Sequence, residues 1–308
     1  MSMHIAQISE WAQTPKYVEA GVPEEPAADS DLIRVKLIAA GVHQIVRSRA
    51  AGTHYSSKTL PHVPGTDGVG ITSDGQKVFF TAMGSGAFRE YTVVPKKTVY
   101  PLPEGIDPLQ AAAFVNPGLA SWMALRARTE NLPQDFTVLI MGATSASGAT
   151  AIPFARALGA KKVIGVGRNP DTLAGLELDD TIVLQQNVTD TDFSKANEAD
   201  VILDFLYGPV AEHLFRTIKP GKPVQYVHVG GLAGLDVTIP GSVLRSNQIT
   251  IRGAGPGSWS MGHLGKELPG LLKAFASVKP RNVKVLPLSE IENTWSYEKS
   301  DERIVYTA

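Results

Sequence analysis

The 308-residue sequence predicts an α/β protein in which a doubly wound parallel-sheet domain is inserted into a mainly β domain built from both ends of the chain. Three observations carry that expectation. Up to about residue 112 the chain reads as short strands broken by Gly, Asp, Ser and Pro. From about 118, short apolar runs alternate with helical stretches, the rhythm of a parallel sheet covered by helices. Beyond about 258 the pieces resemble the first part again. The length fits about two domains at roughly 100–200 residues each.

In chain order, Leu32 to Ile38 alternates apolar and polar side chains, as a half-buried strand does. Val69 to Ile71, Lys77 to Phe80 and Phe88 to Val94 are similar. Ala120 to Arg128 reads as a helix and leads into Thr137 to Met141, an apolar run of the kind buried on both faces of a parallel sheet. A small-residue turn follows, then a helix from Ala149 to Leu158 closed by Gly159. Further strands are expected at Lys162 to Val166, Thr181 to Leu184, Ala199 to Asp204, Val224 to Val229 and Ile249 to Arg252, with helices near Asp171 to Leu176 and Val210 to Thr217. A helix from Gly265 to Val278 and strands at Val283 to Leu288 and Arg303 to Tyr306 close the chain.

Composition removes whole classes of function. Lys plus Arg is 29 and Asp plus Glu is 30, so the net charge of −1 offers no broad basic field and a nucleic-acid partner is not expected. Cysteine is absent, which excludes disulfides, thiolate nucleophiles and Cys-ligated zinc. The N-terminus lacks a basic start followed by an unbroken apolar stretch, and no run approaches about 18 apolar residues. A soluble, cytoplasmic protein with no membrane partner is therefore expected.

The sharpest local signal is Val138 to Gly148, a strand ending in the turn Gly142-Ala143-Thr144-Ser145-Ala146-Ser147-Gly148 and opening a helix. Such a turn offers backbone N–H groups and a positive helix end to a pyrophosphate, and small side chains let the diphosphate approach. Ala143, Thr144, Ser145, Ala146, Ser147 and Gly148 are accordingly candidate cofactor contacts. An acidic residue binding the ribose of NAD is expected about 20 residues later. That position holds Arg168, whose fork suits a 2′-phosphate, so NADP(H) is the expected cofactor.

Several further segments keep a recognisable order: Ala40-Gly41-Val42, Pro61 to Gly70 (PHVPGTDGVG), Gly86 to Tyr91 (GAFREY) and Ala111 to Leu125. Together with the turn they make the chain similar to the zinc-free, quinone-oxidoreductase-like branch of the medium-chain dehydrogenase/reductase superfamily. The resemblance implies a GroES-like, mainly β catalytic domain at residues 1–117 and 258–308 around a Rossmann NADP-binding domain at 118–257. It implies a nicotinamide bound in the cleft between domains, with further cofactor contacts at Asn116, Tyr207, Val229, Gly230, Gly255 and Pro256. Members are commonly dimers joined at the last strand of the cofactor domain, so a homodimer through Ile249 to Arg252 is expected.

Departures from the family pattern shape the chemistry. Zinc-dependent relatives carry a Cys where this chain reads Gly41-Val42-His43-Gln44, and a His-Glu pair where it has Thr66-Asp67; one His without partners makes no zinc site, so no metal is expected. Zinc-free relatives usually have Asn at the position of His43 and often Tyr near that of Ser48. Hydride transfer from NADPH to a quinone, or to the activated C=C of an α,β-unsaturated carbonyl, needs mostly orientation and a donor to developing charge. His43, to protonate or orient, and Tyr55 are the candidate catalytic residues, and Trp259 and Met261 are candidates for lining an apolar substrate pocket or, equally, for the interdomain core. The alternatives are a specialised-metabolism enoyl or carbonyl reductase of the same fold, and a non-catalytic NADPH-binding regulatory or structural protein. A methyltransferase is disfavoured by Arg168, which stands where its ribose carboxylate belongs.

Overall fold

Strand-forming runs rich in Val, Ile and Phe define most elements of the structure, a computed structural model that describes residues 2–57, 59–297 and 302–308. The N-terminal part contains β1 (Ser2–Gln7), β2 (Lys16–Gly21), β3 (Leu32–Gly41), α1 (Gln44–Ala50), β4 (Asp67–Thr72), β5 (Lys77–Thr81), β6 (Tyr91–Pro95) and β7 (Val99–Pro101). There follow α2 (Pro108–Arg128), β8 (Thr137–Met141), α3 (Ala146–Ala157), β9 (Lys162–Gly167), α4 (Pro170–Ala174), β10 (Asp180–Val183) and β11 (Val201–Asp204). The chain continues through α5 (Gly208–Thr217), β12 (Val224–His228), α6 (Gly241–Ser246), β13 (Ile249–Gly253) and α7 (Met261–Phe275). It closes with β14 (Val283–Pro287), α8 (Ile291–Thr294) and β15 (Arg303–Thr307).

Two compact units result, one of residues Met1–Asn116 and Lys279–Ala308, the other Pro117–Val278. The first holds a sheet of order β14-β15-β3-β4-β5-β7, with β6 also paired to β3, and a separate β1-β2 hairpin. All its pairings are antiparallel except β14 with β15. Its core gathers Val35, Leu37, Phe80, Phe88 and Tyr306.

The second unit is a six-stranded parallel sheet of order β10-β9-β8-β11-β12-β13. Order reverses between β8 and β11, the topological switch point where ligands of such sheets bind beyond the strand C-termini. Strand β8 shows why its run is apolar throughout: Val138 and Ile140 enter the core on one face, Leu139 and Met141 the core on the other.

The structure departs from the sequence reading in three places. The strand expected from Phe88 begins at Tyr91, because Phe88 instead accepts from Ala6 N–H (2.8 Å) and donates to the Pro64 carbonyl (3.0 Å). The helix expected to start near Ala120 starts at Pro108, and the division between units falls inside it, at Asn116/Pro117. Helix α7 belongs to the second unit rather than to residues 258–308 of the first: Leu268, Leu271, Leu272 and Phe275 are buried, and α3 packs against it. The second boundary therefore lies at Val278/Lys279.

Candidate functional site

The turn after β8 is built backbone against backbone. Gly142 has φ +87°, a conformation that costs a side chain dearly, and a Cβ on Gly148 would stand 2.2 Å from the Gly142 carbonyl oxygen. That contact lets α3 begin directly against the strand end. Ser145 caps the helix, its hydroxyl accepting from Gly148 N–H at 3.0 Å. Thr144, Ser145, Ala146 and Ser147 are half-buried around the first turn, whose N–H groups exceed what intrahelical bonding can satisfy. Ala143 departs from the expected role. Its side chain is fully buried and its N–H donates to the Val166 carbonyl (2.9 Å), so it shapes the turn and presents no donor.

Arg168 follows β9 directly, is exposed, and makes no ion pair or hydrogen bond among the described residues. It stands next to the turn, since a side chain on neighbouring Gly167 would come within 3.0 Å of Thr144 Cγ2. Asn169 caps α4 through Thr172 N–H at 3.1 Å, which turns the chain away after Arg168.

Because β9, β8, β11, β12 and β13 are consecutive and parallel, the segments after them share one edge of the sheet. Along it stand the turn, Arg168, Tyr207, Val229, Gly230, Gly255 and Pro256. Asp204, the last residue of β11, organises the middle of that edge. It is fully buried and accepts from the N–H groups of Leu206 (2.7 Å) and Tyr207 (3.0 Å) and from the Tyr226 hydroxyl. Its carbonyl accepts from Val229 and Gly230 at 2.7 and 3.1 Å, tying the loop after β12 to that after β11. Burial pushes the Asp204 carboxyl above its ordinary range, against the pull of its hydrogen bonds. Tyr207 has φ +56° and ψ −154°, a strained conformation for a non-glycine residue, and its ring lies 4.0 Å from that of His228. Gly255 and Pro256 form a turn closed by Ser258, which bonds both polar backbone atoms of Gly255 at 2.9 Å. Met261 is 57% exposed, and Trp259 packs partly against the core of the second unit.

In the first unit, a buried polar network surrounds His43. Asp67 accepts from His43 Nε2 (3.3 Å), Thr66 Oγ1 (2.7 Å) and Asn116 Nδ2 (2.6 Å). Arg303, on β15, donates through Nη2 to His43 Nδ1 (3.0 Å) and to the Val42 carbonyl (3.0 Å). An arginine can only donate, so Nδ1 accepts and Nε2 carries the proton toward Asp67. Both ring nitrogens of His43 are thus engaged within the network, and its side chain is 3% exposed. Burial lowers the Arg303 guanidinium to about 10, assisted by Arg281 and Arg47 and opposed by Asp67. Tyr55 stands outside this network, 72% exposed, its ring tilted by 31° against that of His54 at 4.1 Å. Burial nudges its hydroxyl upward, which keeps the phenol protonated at neutral pH.

Known proteins give the architecture its place. The chain is 32% identical to the probable NADPH-dependent quinone reductase of Emericella nidulans, over 96% of this chain and 97% of that one. The chain belongs to the quinone-oxidoreductase-like medium-chain dehydrogenases/reductases. Quinone oxidoreductase of Sus scrofa is 33% identical over 52% of this chain and 49% of its own. The fold matches quinone oxidoreductase of Thermus thermophilus with a TM-score of 0.77 at 22% identity, covering 99% and 100% of the two chains. A mycobacterial quinone oxidoreductase gives 0.82 at 15% identity, covering 99% and 100%. No protein-family model matches the chain.

As a quinone-oxidoreductase-like protein, the chain carries two features that sequence reasoning left without a role. Asp67 lies inside the Pro61 to Gly70 motif, but Arg303, which bonds the same His43, is 260 residues from it in sequence, and no local pattern joins them. Asp204 stands at a strand end, where an acidic residue reads as an ordinary cap until the Tyr226 hydroxyl and two loop backbones are seen converging on it.

Proposed function

We propose that this quinone-oxidoreductase-like chain is an NADPH-dependent oxidoreductase that reduces a quinone to the hydroquinone, with α,β-unsaturated carbonyls as a second acceptor class. The observation that carries the cofactor is Arg168, a guanidinium unpaired among the described residues and beside the pyrophosphate turn, where an NAD site would hold a carboxylate. The full-length likeness to a relative named as an NADPH-dependent quinone reductase supports the acceptor. When bound, NADPH supplies the hydride, and a proton completes the hydroquinone.

The chain's own residues divide the work. The first turn of α3 and the hydroxyls of Thr144, Ser145 and Ser147 would hold the diphosphate, while Arg168 would hold the 2′-phosphate. Tyr207, Val229, Gly230, Gly255 and Pro256 offer positions along the same sheet edge for the remainder of the cofactor. Asn116 presents a carboxamide whose orientation Asp67 fixes, and Tyr55 is the candidate proton donor. No titratable metal partner or thiolate is required, because a conjugated acceptor needs chiefly placement and a nearby donor. Among the described residues no helix is long and apolar enough to cross a membrane. The proposed compartment is the cytoplasm, where a reaction drawing on NADPH is supplied with its reductant.

The test is fluorescence titration of NADPH and NADH into the wild-type protein and Arg168→Ala. Loss of one charge-assisted contact is expected to cost NADPH about 1.5–3 kcal/mol and leave NADH nearly unchanged. Equal losses for both cofactors would make Arg168 structural.

A further inference from the structure

The first unit contains a polar cavity of about 450 Å³, lined by Arg49, Ser56, Thr59, Pro61, His62, Val63, Met83, Gly84 and Ser85. Its lining includes a guanidinium and an imidazole but no carboxylate. Arg49, near the end of α1, donates to the Met83 carbonyl (2.8 Å) and contacts the Met83 sulfur (3.7 Å). Its Nε is buried with no hydrogen-bond partner, and the side chain pairs with no carboxylate among the described residues. Burial lowers the Arg49 guanidinium; burial, assisted by the Arg49 charge, lowers both His54 and His62, the latter to about 4. His62 is thus an uncharged imidazole at neutral pH, and Arg49 is the cation among the described residues that line the cavity. Ser85 accepts from Thr92 Oγ1 (3.1 Å) while its backbone carbonyl accepts from Arg89 Nη1 (3.3 Å), so Ser85 retains a hydroxyl proton to give. Ser56 bonds His54 Nδ1 at 2.7 Å. Pro61, Val63 and Met83 supply apolar wall.

A desolvated guanidinium without a counter-ion is costly, and the cost falls when an anion enters. From this arrangement we propose that the Arg49 cavity is a binding subsite for an organic carboxylate with an apolar body. The carboxylate takes the guanidinium and the Ser85 hydroxyl, with His62 Nδ1 or Nε2 as a further neutral donor, and the apolar body lies against Pro61, Val63 and Met83. The site lies wholly within the first unit, so it stands or falls independently of the cofactor reading.

Naphthoate and its neutral counterpart naphthamide are the probes, titrated into the full-length protein while the histidine ring resonances are followed by NMR. Naphthoate is expected to bind saturably and perturb His62, with naphthamide at least about tenfold weaker. Arg49→Gln is expected to lose about tenfold or more of the naphthoate affinity, Arg49→Lys to recover part of it, and Ser85→Ala to lose less. Competition of naphthoate with the quinone in steady-state turnover would assign the carboxylate to the substrate itself, and binding without competition to a separate ligand. Equal affinity for naphthoate and naphthamide would overturn the proposal, as would no perturbation of His62 up to millimolar probe. The wild-type titrations decide it even if Arg49→Gln fails to fold.

Discussion

At the scale of single residues, some polar groups are committed to the protein's own network and others are left for a ligand. Asp67 and Arg303 are committed: removing either strands the other's charge in the interior. Arg303→Met is expected to cost about 3–5 kcal/mol, and Asp67→Asn a similar amount, with the double variant well short of their sum. Urea unfolding of the four proteins measures this, and strict additivity would show that the two do not communicate through His43. Proton donation is tested by His43→Gln, whose amide can still donate to Asp67 and accept from Arg303; turnover is expected to stay within about tenfold, whereas a loss beyond about a hundredfold would restore His43 as an acid. His62 gives a pH prediction. Its folded value, about 4, lies below the ordinary 6.5, so its contribution to stability is full above 6.5 and is lost as pH falls through 4. His62→Gln should flatten the fall in melting temperature across that window, and an unchanged slope would locate the acid sensitivity elsewhere. The sequence exposed these residues unevenly. The position of Arg168 beside the turn was legible because a strand, a turn and a count of 20 residues mark where a ribose-binding residue is expected. The partnership of His43 with Arg303 was not, because it depends on β15 pairing with the end of β3, a long-range contact with no local signature.

At the scale of elements, the junction of β8 and α3 concentrates the steric argument. A methyl group on Gly148 meets the Gly142 carbonyl oxygen at 2.2 Å and Ala143 Cα at 2.8 Å, backbone atoms that cannot rotate away. Gly148→Ala is therefore expected to destabilise the second unit by about 1–3 kcal/mol and to weaken NADPH more than proportionately, because the helix start shifts off the strand end. Calorimetry with and without cofactor separates the two effects; a stable variant with unchanged NADPH affinity would contradict the close-packed turn. Strands of the second unit were legible because burial on both faces makes each a continuous apolar run bounded by Gly and polar residues. Helix α7 was placed with the wrong unit because its start at Ser260 carries an ordinary cap, and only the burial of Leu268, Leu271 and Leu272 shows where it packs. The first-unit hairpin β1–β2 and helix α1 have weaker patterns, short and interrupted by polar residues, and owe their form to tertiary pairing.

At the scale of the whole molecule, the β13 edge of the parallel sheet is unpaired among the described residues, and Leu232, Leu235, Leu244 and Ile251 are exposed in the 230–253 segment. An edge of that kind invites pairing, and a second copy of the chain is the proposed cover. Light scattering is expected to give twice the 32.9 kDa chain mass, and Leu235→Asp combined with Ile251→Arg to give a monomer. A wild-type monomer at micromolar concentration would remove the dimer from the account. The reaction itself is tested most directly by following NADPH oxidation with naphthoquinone as acceptor, in the presence and absence of a metal chelator and with NADH in place of NADPH. Turnover is expected to depend on the quinone, to prefer NADPH, and to be indifferent to the chelator. NADPH that binds tightly but is never oxidised by any quinone would contradict the proposed reaction.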